Sequence, residues 1–228
     1  MVKLFKQRYM SEKKEQLNRK DIILNTARQL FSISGYEKTT VNEIAHKAGI
    51  AKGSIYLEFE SKEEILHEII ERFATTTLDG MEEKISLATP PYLPKIKNIV
   101  LENALNIFNM ANSQMKTHIT LIHTNYQIKQ KLHHIFERRN IMLAEIFKKA
   151  AMNNEIIPVT DYIRLAQILV LATSAFYPPY DFKYSSLAIK MEGIEKVKAR
   201  LNKDAGDVID ILLKGLTVHQ EERPANET

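Results

Sequence analysis

TTVNEIAHKAGIAKGSIYLEF, residues 39–59, is the stretch on which the reading of this chain turns. Thr40-Val41-Asn42-Glu43 spells a capping box, in which a hydroxyl and a carboxylate three residues apart each satisfy the other's backbone N–H. The helix it opens puts Val41, Ile44, Ala45 and Ala48 on one side and stops at Gly49, where a positive φ carries no Cβ penalty. Ile50 plugs the corner. A second, short helix then runs from Ala51 to Leu57, with Ile55 facing inward. Two helices joined by a tight glycine-containing turn form a helix-turn-helix, whose second helix in DNA-binding proteins enters the major groove.

The outward residues suit that role. Lys52 can reach a phosphate or a guanine edge, and Ser54 can donate to a phosphate or read a base edge. Gly53 lets the backbone approach closely, and Tyr56 offers a hydroxyl while its ring lies on the helix. Thr39, Thr40 and Lys62 sit at the starts of the flanking helices, whose free N–H groups attract phosphate. These seven residues are the expected DNA contacts.

Outward from there the chain reads as helix throughout, an all-α fold. Asn18 is a plausible N-cap for a helix over 19–34 with a stripe of Ile22, Ile23, Ala27, Leu30 and Phe31, ended by Gly35. Ser61-Lys62-Glu63-Glu64 spells a second capping box, opening a long helix with Ile65, Leu66, Ile69, Ile70 and Phe73 along one side. TPPYLP, residues 89–94, is the clearest break. Longer helices are expected beyond it at about 95–111, 114–124, 126–152, 160–176 and 205–219, with an extra amphipathic helix over 186–202. The expected organisation is a basic arm at 1–17, a three-helix helix-turn-helix domain at 18–66 with a connecting helix to about 87, a larger helical domain at 90–220, and a tail at 221–228.

Charge is distributed unevenly. Residues 1–62 hold 12 Lys/Arg against 7 Asp/Glu, an excess of +5, whereas the whole chain carries +4. The positive excess therefore surrounds the helix-turn-helix, as a polyanion partner requires. The 228 residues include no Cys, which rules out disulfides and thiolate metal sites. The N-terminus has scattered charges and no apolar h-region of a signal peptide. The longest strongly apolar run, Ile168–Ala172, is far short of the roughly 20 residues that span a bilayer. A cytoplasmic location and no membrane association are expected.

Ala27, Leu30, Phe31, Gly35, Tyr36, Thr39, Thr40, Val41, Ile44, Ala45, Ala48, Gly49, Lys52, Gly53, Ser54, Ile55, Tyr56, Phe59, Lys62 and Glu63 together resemble the N-terminal domain of TetR-family transcriptional regulators. The resemblance covers about residues 18–66; beyond residue 90 it is one of general style, with a closing amphipathic helix DVIDILLKGL. It implies a homodimer on double-stranded DNA with a near-palindromic operator. It also implies a C-terminal domain for ligand binding and dimerisation, in which a small molecule swings the DNA heads apart to relieve repression. The dimer interface implied is the pair of helices at about 160–176 and 205–219. One position departs from the family, which often has an aromatic residue or His at Leu57 and Glu58. Glu58 would bring an anion near the phosphates, so it is expected to turn away or to pair with Lys62.

In the C-terminal region Phe108, Met115, His118, Tyr126 and Phe176 are candidates to line a pocket for a small apolar or aromatic effector. His118/His123 and His133-His134 lack i, i+4 spacing, so no metal site is expected. No Gly-rich phosphate loop, GxSxG or other catalytic arrangement emerges, so neither enzyme activity nor a cofactor is expected. A protein-interaction module with a degenerate helix-turn-helix and a small-molecule carrier are the alternatives.

Overall fold

The computed structural model describes residues 19–112, 130, 132–178 and 180–217. Helix α1 occupies 19–34, followed by α2 (Val41–Ala48), α3 (Lys52–Tyr56), α4 (Lys62–Ser86) and α5 (Leu93–Asn112). After the described chain resumes come α6 (His133–Met152), α7 (Tyr162–Ala172), α8 (Ser186–Glu192) and α9 (Ile194–Lys214). Short 3-10 turns lie at Ser174–Phe176 and Phe182–Tyr184. Among the described residues the only β feature is an isolated antiparallel bridge between Ile156 and Thr217. The expected Asn18 cap, the helix at 114–124 and the tail at 221–228 lie outside the described residues.

The chain divides into two compact units, residues 1–76 with 109–132 and residues 77–108 with 133–228. In the first unit Ile23, Leu24, Ala27 and Phe31 of α1 are buried with Ile44 and Ala45 of α2, Ile55 of α3, Phe59, and Ile65, Leu66, Ile69 and Ile70 of α4. Each such aliphatic or aromatic side chain contributes roughly 1.5–3 kcal/mol when removed from water. The α1 stripe is shifted from its expected position: Leu24 is buried and Ile22 is exposed, because the 3.6-residue period brings 23, 24, 27 and 31 to one face.

In the second unit α6 buries Ile135, Met142, Leu143, Ile146, Phe147 and Ala150 and packs along α7. Asn154, in a left-handed conformation at φ 58°, closes the end of α6. A separate cluster joins Ala104 and Phe108 of α5 to Phe176, Tyr184, Ala188 of α8, and Val197, Leu201 and Ala205 of α9. The C-terminal helices differ from expectation. Gly193, at φ 88°, interrupts the helix expected over 186–202, and a single helix then runs from Ile194 to Lys214. Its buried stripe of Val197, Leu201, Ala205, Ile209 and Leu213 passes through Asn202-Lys203-Asp204 unbroken, so no boundary falls there. The helix expected at 160–176 ends at Ala172, where the Thr173 hydroxyl donates to the Leu169 carbonyl and the chain tightens into a 3-10 turn.

The start of α5 is capped from a distance. The Glu155 carboxylate accepts the backbone N–H groups of Tyr92 (2.6 Å) and Leu93 (2.9 Å), and Asn153 Nδ2 donates to its other oxygen at 2.8 Å. An anion at a helix N-terminus satisfies orphan donors and meets the positive end of the dipole. Glu155→Ala is expected to lower unfolding stability by about 1–2 kcal/mol, read from urea denaturation, with Glu155→Gln falling between it and wild type.

Candidate nucleic-acid interface

The α2–α3 pair is set by local chemistry. Thr40 Oγ1 accepts the Glu43 N–H at 3.2 Å, while Glu43 Oε2 accepts the Thr40 N–H at 2.7 Å and the Thr40 hydroxyl at 2.9 Å. The first capping box is thus complete. Gly49 ends α2 at φ 68°, ψ 28°, a conformation that an L side chain rarely adopts. Ile50 N–H then donates to Ala45 O at 3.1 Å, closing the turn before α3. In the second box only one arm is standard. Ser61 Oγ accepts the Glu64 N–H at 3.1 Å, but the Glu64 carboxylate reaches the Glu60 N–H rather than that of Ser61.

Helix α3 has one buried anchor, Ile55 at 1% exposure, and an open face. Lys52, Gly53 and Tyr56 are exposed and Ser54 is half-buried. Lys52 Nζ lies 5.9 Å from the centroid of the Tyr56 ring, so cation and phenol share one side of the helix at i, i+4. A Cβ on Gly53 would meet nothing within 4 Å, which leaves a flat spot beside them. Lys52, Gly53, Ser54, Tyr56 and, one helix earlier, Thr40 are therefore the candidate residues that α2 and α3 hold open to solvent.

Thr39 and Lys62 are turned inward. Thr39 is buried, and its hydroxyl donates to Gly35 O at 2.8 Å. Lys62 Nζ donates to Tyr36 O (2.8 Å), Thr39 O (2.9 Å) and Glu37 O (3.4 Å), and stands 4.3 Å from the Tyr36 ring centroid. An ammonium has three protons, and all three have carbonyl acceptors within the turn. Both residues thus hold the α1–α2 turn against the start of α4 instead of presenting a free group. Tyr36 in turn meets Phe31 edge-on at 5.2 Å, and burial pushes its phenol pKa up.

Glu58 is resolved as well. Its side chain is buried and faces Arg19, 3.8 Å away, rather than Lys62. The anion is withdrawn from the exposed face of α3. Nothing local could have signalled this partner, which lies on α1, far back along the chain.

Of the effector-pocket candidates, Phe108 and Phe176 come together in the buried cluster of the second unit. Met115, His118 and Tyr126 lie outside the described residues, as does His123. His133 faces Glu137 at 3.1 Å on an exposed helix surface. No helix among the described residues is long and apolar enough to cross a membrane.

Residues 23–69 match the profile of the bacterial regulatory proteins, tetR family. The chain is 39% identical over 83 residues to the uncharacterized HTH-type transcriptional regulator YhgD of Bacillus subtilis, a match spanning 36% of this chain and 41% of that protein. It is 26% identical over 151 residues to the fatty acid metabolism regulator protein of the same organism, covering 66% of this chain and 77% of the relative. A putative TetR-family transcriptional regulator from Mesorhizobium loti shares the fold with a TM-score of 0.66 at 21% identity, over 89% of this chain and 98% of that one.

The interactions around α2 lead to two expectations. Lys62→Ala, which strands three carbonyls, should destabilise the protein by about 1–2 kcal/mol in chemical denaturation, and Thr39→Val should do so by about 1 kcal/mol. The hydrogen bond from the Thr40 N–H, and then that from its hydroxyl, hold the Glu43 carboxyl below its ordinary 4.5. A depressed carboxyl contributes stability that is present above its unfolded value and lost as pH falls through the folded one. Acid titration of wild type should therefore show a loss of stability below pH 4.5 that Glu43→Gln lacks.

Proposed function

We propose, from the match of residues 23–69 to the bacterial regulatory proteins, tetR family, that this chain is a homodimeric, sequence-specific repressor of that family acting on DNA in the cytoplasm. It binds a near-palindromic operator and is released by a small apolar or aromatic molecule held in the second unit. The observation that carries the DNA-binding role is the paired exposure of Lys52 and Tyr56 on a short helix whose opposite side is anchored by Ile55.

In this reading Lys52, Ser54 and Tyr56 contact DNA through their side chains, Gly53 lets the backbone close in, and Thr40 meets the phosphates beside them. Thr39 and Lys62 contribute by fixing the turn that aims α2. Two copies with heads roughly 34–36 Å apart fit successive major grooves. A second copy finds apolar surface on α7 and α9, where Ile168, Leu171 and Ile211 are exposed. Self-complementary contact of such patches is the usual route to a two-fold dimer. An effector that favours another head spacing lowers operator affinity by population shift, with a coupling of typically about 1–3 kcal/mol.

Gel-shift titration against DNA from upstream of the chain's own coding region tests the DNA face. Lys52→Ala should weaken binding by about 1–3 kcal/mol and Tyr56→Phe by about 0.5–1.5 kcal/mol, with the oligomeric state unchanged. Wild-type affinity in both variants would remove α3 from the interface.

A further inference from the structure

The second unit contains a cation without a counter-ion. Arg138 and Arg139 are neighbours on α6 with opposite fates. Arg138 is exposed to solvent on one side and pairs with Asp79 at 2.9 Å and with Glu82. Arg139 points the other way. Its Nε is sealed from solvent without a hydrogen-bond partner, the rest of the side chain is half-buried, and among the described residues no carboxylate pairs with it. The Phe136 ring stands 5.4 Å away. A guanidinium stays charged in proteins, so withdrawing one of its donors from water without an acceptor is costly.

The Tyr177 hydroxyl is the polar group that its charge reaches. Arg139 lies close enough to Tyr177 for its charge to act on that hydroxyl, and Tyr177 in turn acts on Tyr180. Asn103 Nδ2 of α5 donates to Tyr177 Oη at 3.0 Å, which leaves the Tyr177 proton free to be donated elsewhere. The Tyr180 hydroxyl is sealed from solvent and has no partner among the described residues. Burial pushes both phenol pKa values up, so both remain neutral donors. The surroundings are apolar: Phe108 meets Tyr180 edge-on at 5.7 Å, and Phe108 and Phe176 belong to the same buried cluster.

One fixed cation and two phenol protons, set against aromatic rings, are a set of donors awaiting an acceptor. A planar guanidinium fork matches a carboxylate, and the rings match an apolar body. We propose that Arg139, Tyr177 and Tyr180 form the anchoring subsite for the carboxylate of an apolar small molecule. This deepens the effector reading above and rests on it: the effector is an organic acid rather than a neutral hydrophobe.

The test uses the full chain and isothermal titration with dodecanoate and naphthoate, each against its neutral alcohol counterpart. Wild type is expected to bind at least one of the acids more tightly than the matching alcohol. Arg139→Met should weaken that acid by about 10–100-fold, the factor for losing a charge-assisted hydrogen bond, and leave the alcohol unchanged. Without ligand, Arg139→Met should melt at or above the wild-type temperature, since it removes an unpaired charge. Tyr180→Phe should weaken acid binding by several-fold. Equal acid affinity in wild type and Arg139→Met would overturn the proposal, as would no binding of either acid by wild type. A sharp fall in the ligand-free melting temperature of Arg139→Met would also overturn it, because the guanidinium would then be a structural partner. Operator binding, measured in parallel, separates the two readings: its absence in wild type defeats the repressor function and leaves the carboxylate titration readable.

Discussion

The ammonium of Lys62 holds the helix-turn-helix in place. It gathers the carbonyls of Tyr36, Glu37 and Thr39 beneath the Tyr36 ring, and so ties the turn that ends α1 to the first turn of α4. Helices α2 and α3 are the segment between those two points. A hydrogen bond to or from a charged group is roughly twice as strong as a neutral one, so this contact ranks with the Glu43 arm of the first capping box. With both ends fixed, Ile44, Ala45 and Ile55 need only fill the space between them. The exposed side of α3 is then determined by exclusion: whatever is not Ile55 or Glu58 faces outward.

Glu58 shows the same logic applied to an anion. On the open face it would repel a phosphate backbone. Withdrawn beside Arg19, it costs desolvation that a 3.8 Å ion pair offsets in part. The domain accepts that cost and keeps its positive face free of a competing charge. The second unit uses polar groups in the opposite way. Glu155, Asp204 and Arg138 all have partners, as with the Tyr184 hydroxyl donating to Asp204 at 2.6 Å. Against that background Arg139 Nε, Asn140 Oδ1 and the Tyr180 hydroxyl, sealed without partners, are the exceptions, and buried polar exceptions are where structures carry function at the expense of stability.

The helix-turn-helix was legible in the sequence because its determinants are local. A capping box spans four residues, a left-handed glycine one, and an apolar stripe a few turns, so Thr40, Gly49 and Ile55 could be assigned from spacing alone. The roles of Thr39, Lys62 and Glu58 were not legible, since each depends on a group that the fold brings in from another helix. Side-chain chemistry suggested phosphate contacts for the first two, and geometry gave their donors to carbonyls. In the C-terminal region the aromatic residues Phe108 and Phe176 stood out, but Arg139 did not, because in sequence it is indistinguishable from Arg138. Only the packing of α6 separates an arginine that meets two carboxylates from one that meets none.

Residues 23–69, the segment that matches the family profile, are the part of the chain with these local determinants. In the proposed role that segment presents one helix to one partner of fixed geometry, B-form DNA, and few local solutions do so. The second unit faces no such common partner. Its helices must pack, and in the proposed dimer meet a second copy, requirements that many apolar sequences meet so long as their periodicity and volume are kept. What distinguishes one such unit from another is then a handful of polar atoms placed in an apolar interior. In the carboxylate-subsite proposal those atoms sit at Arg139, Tyr177 and Tyr180, and a bound acid would complete them.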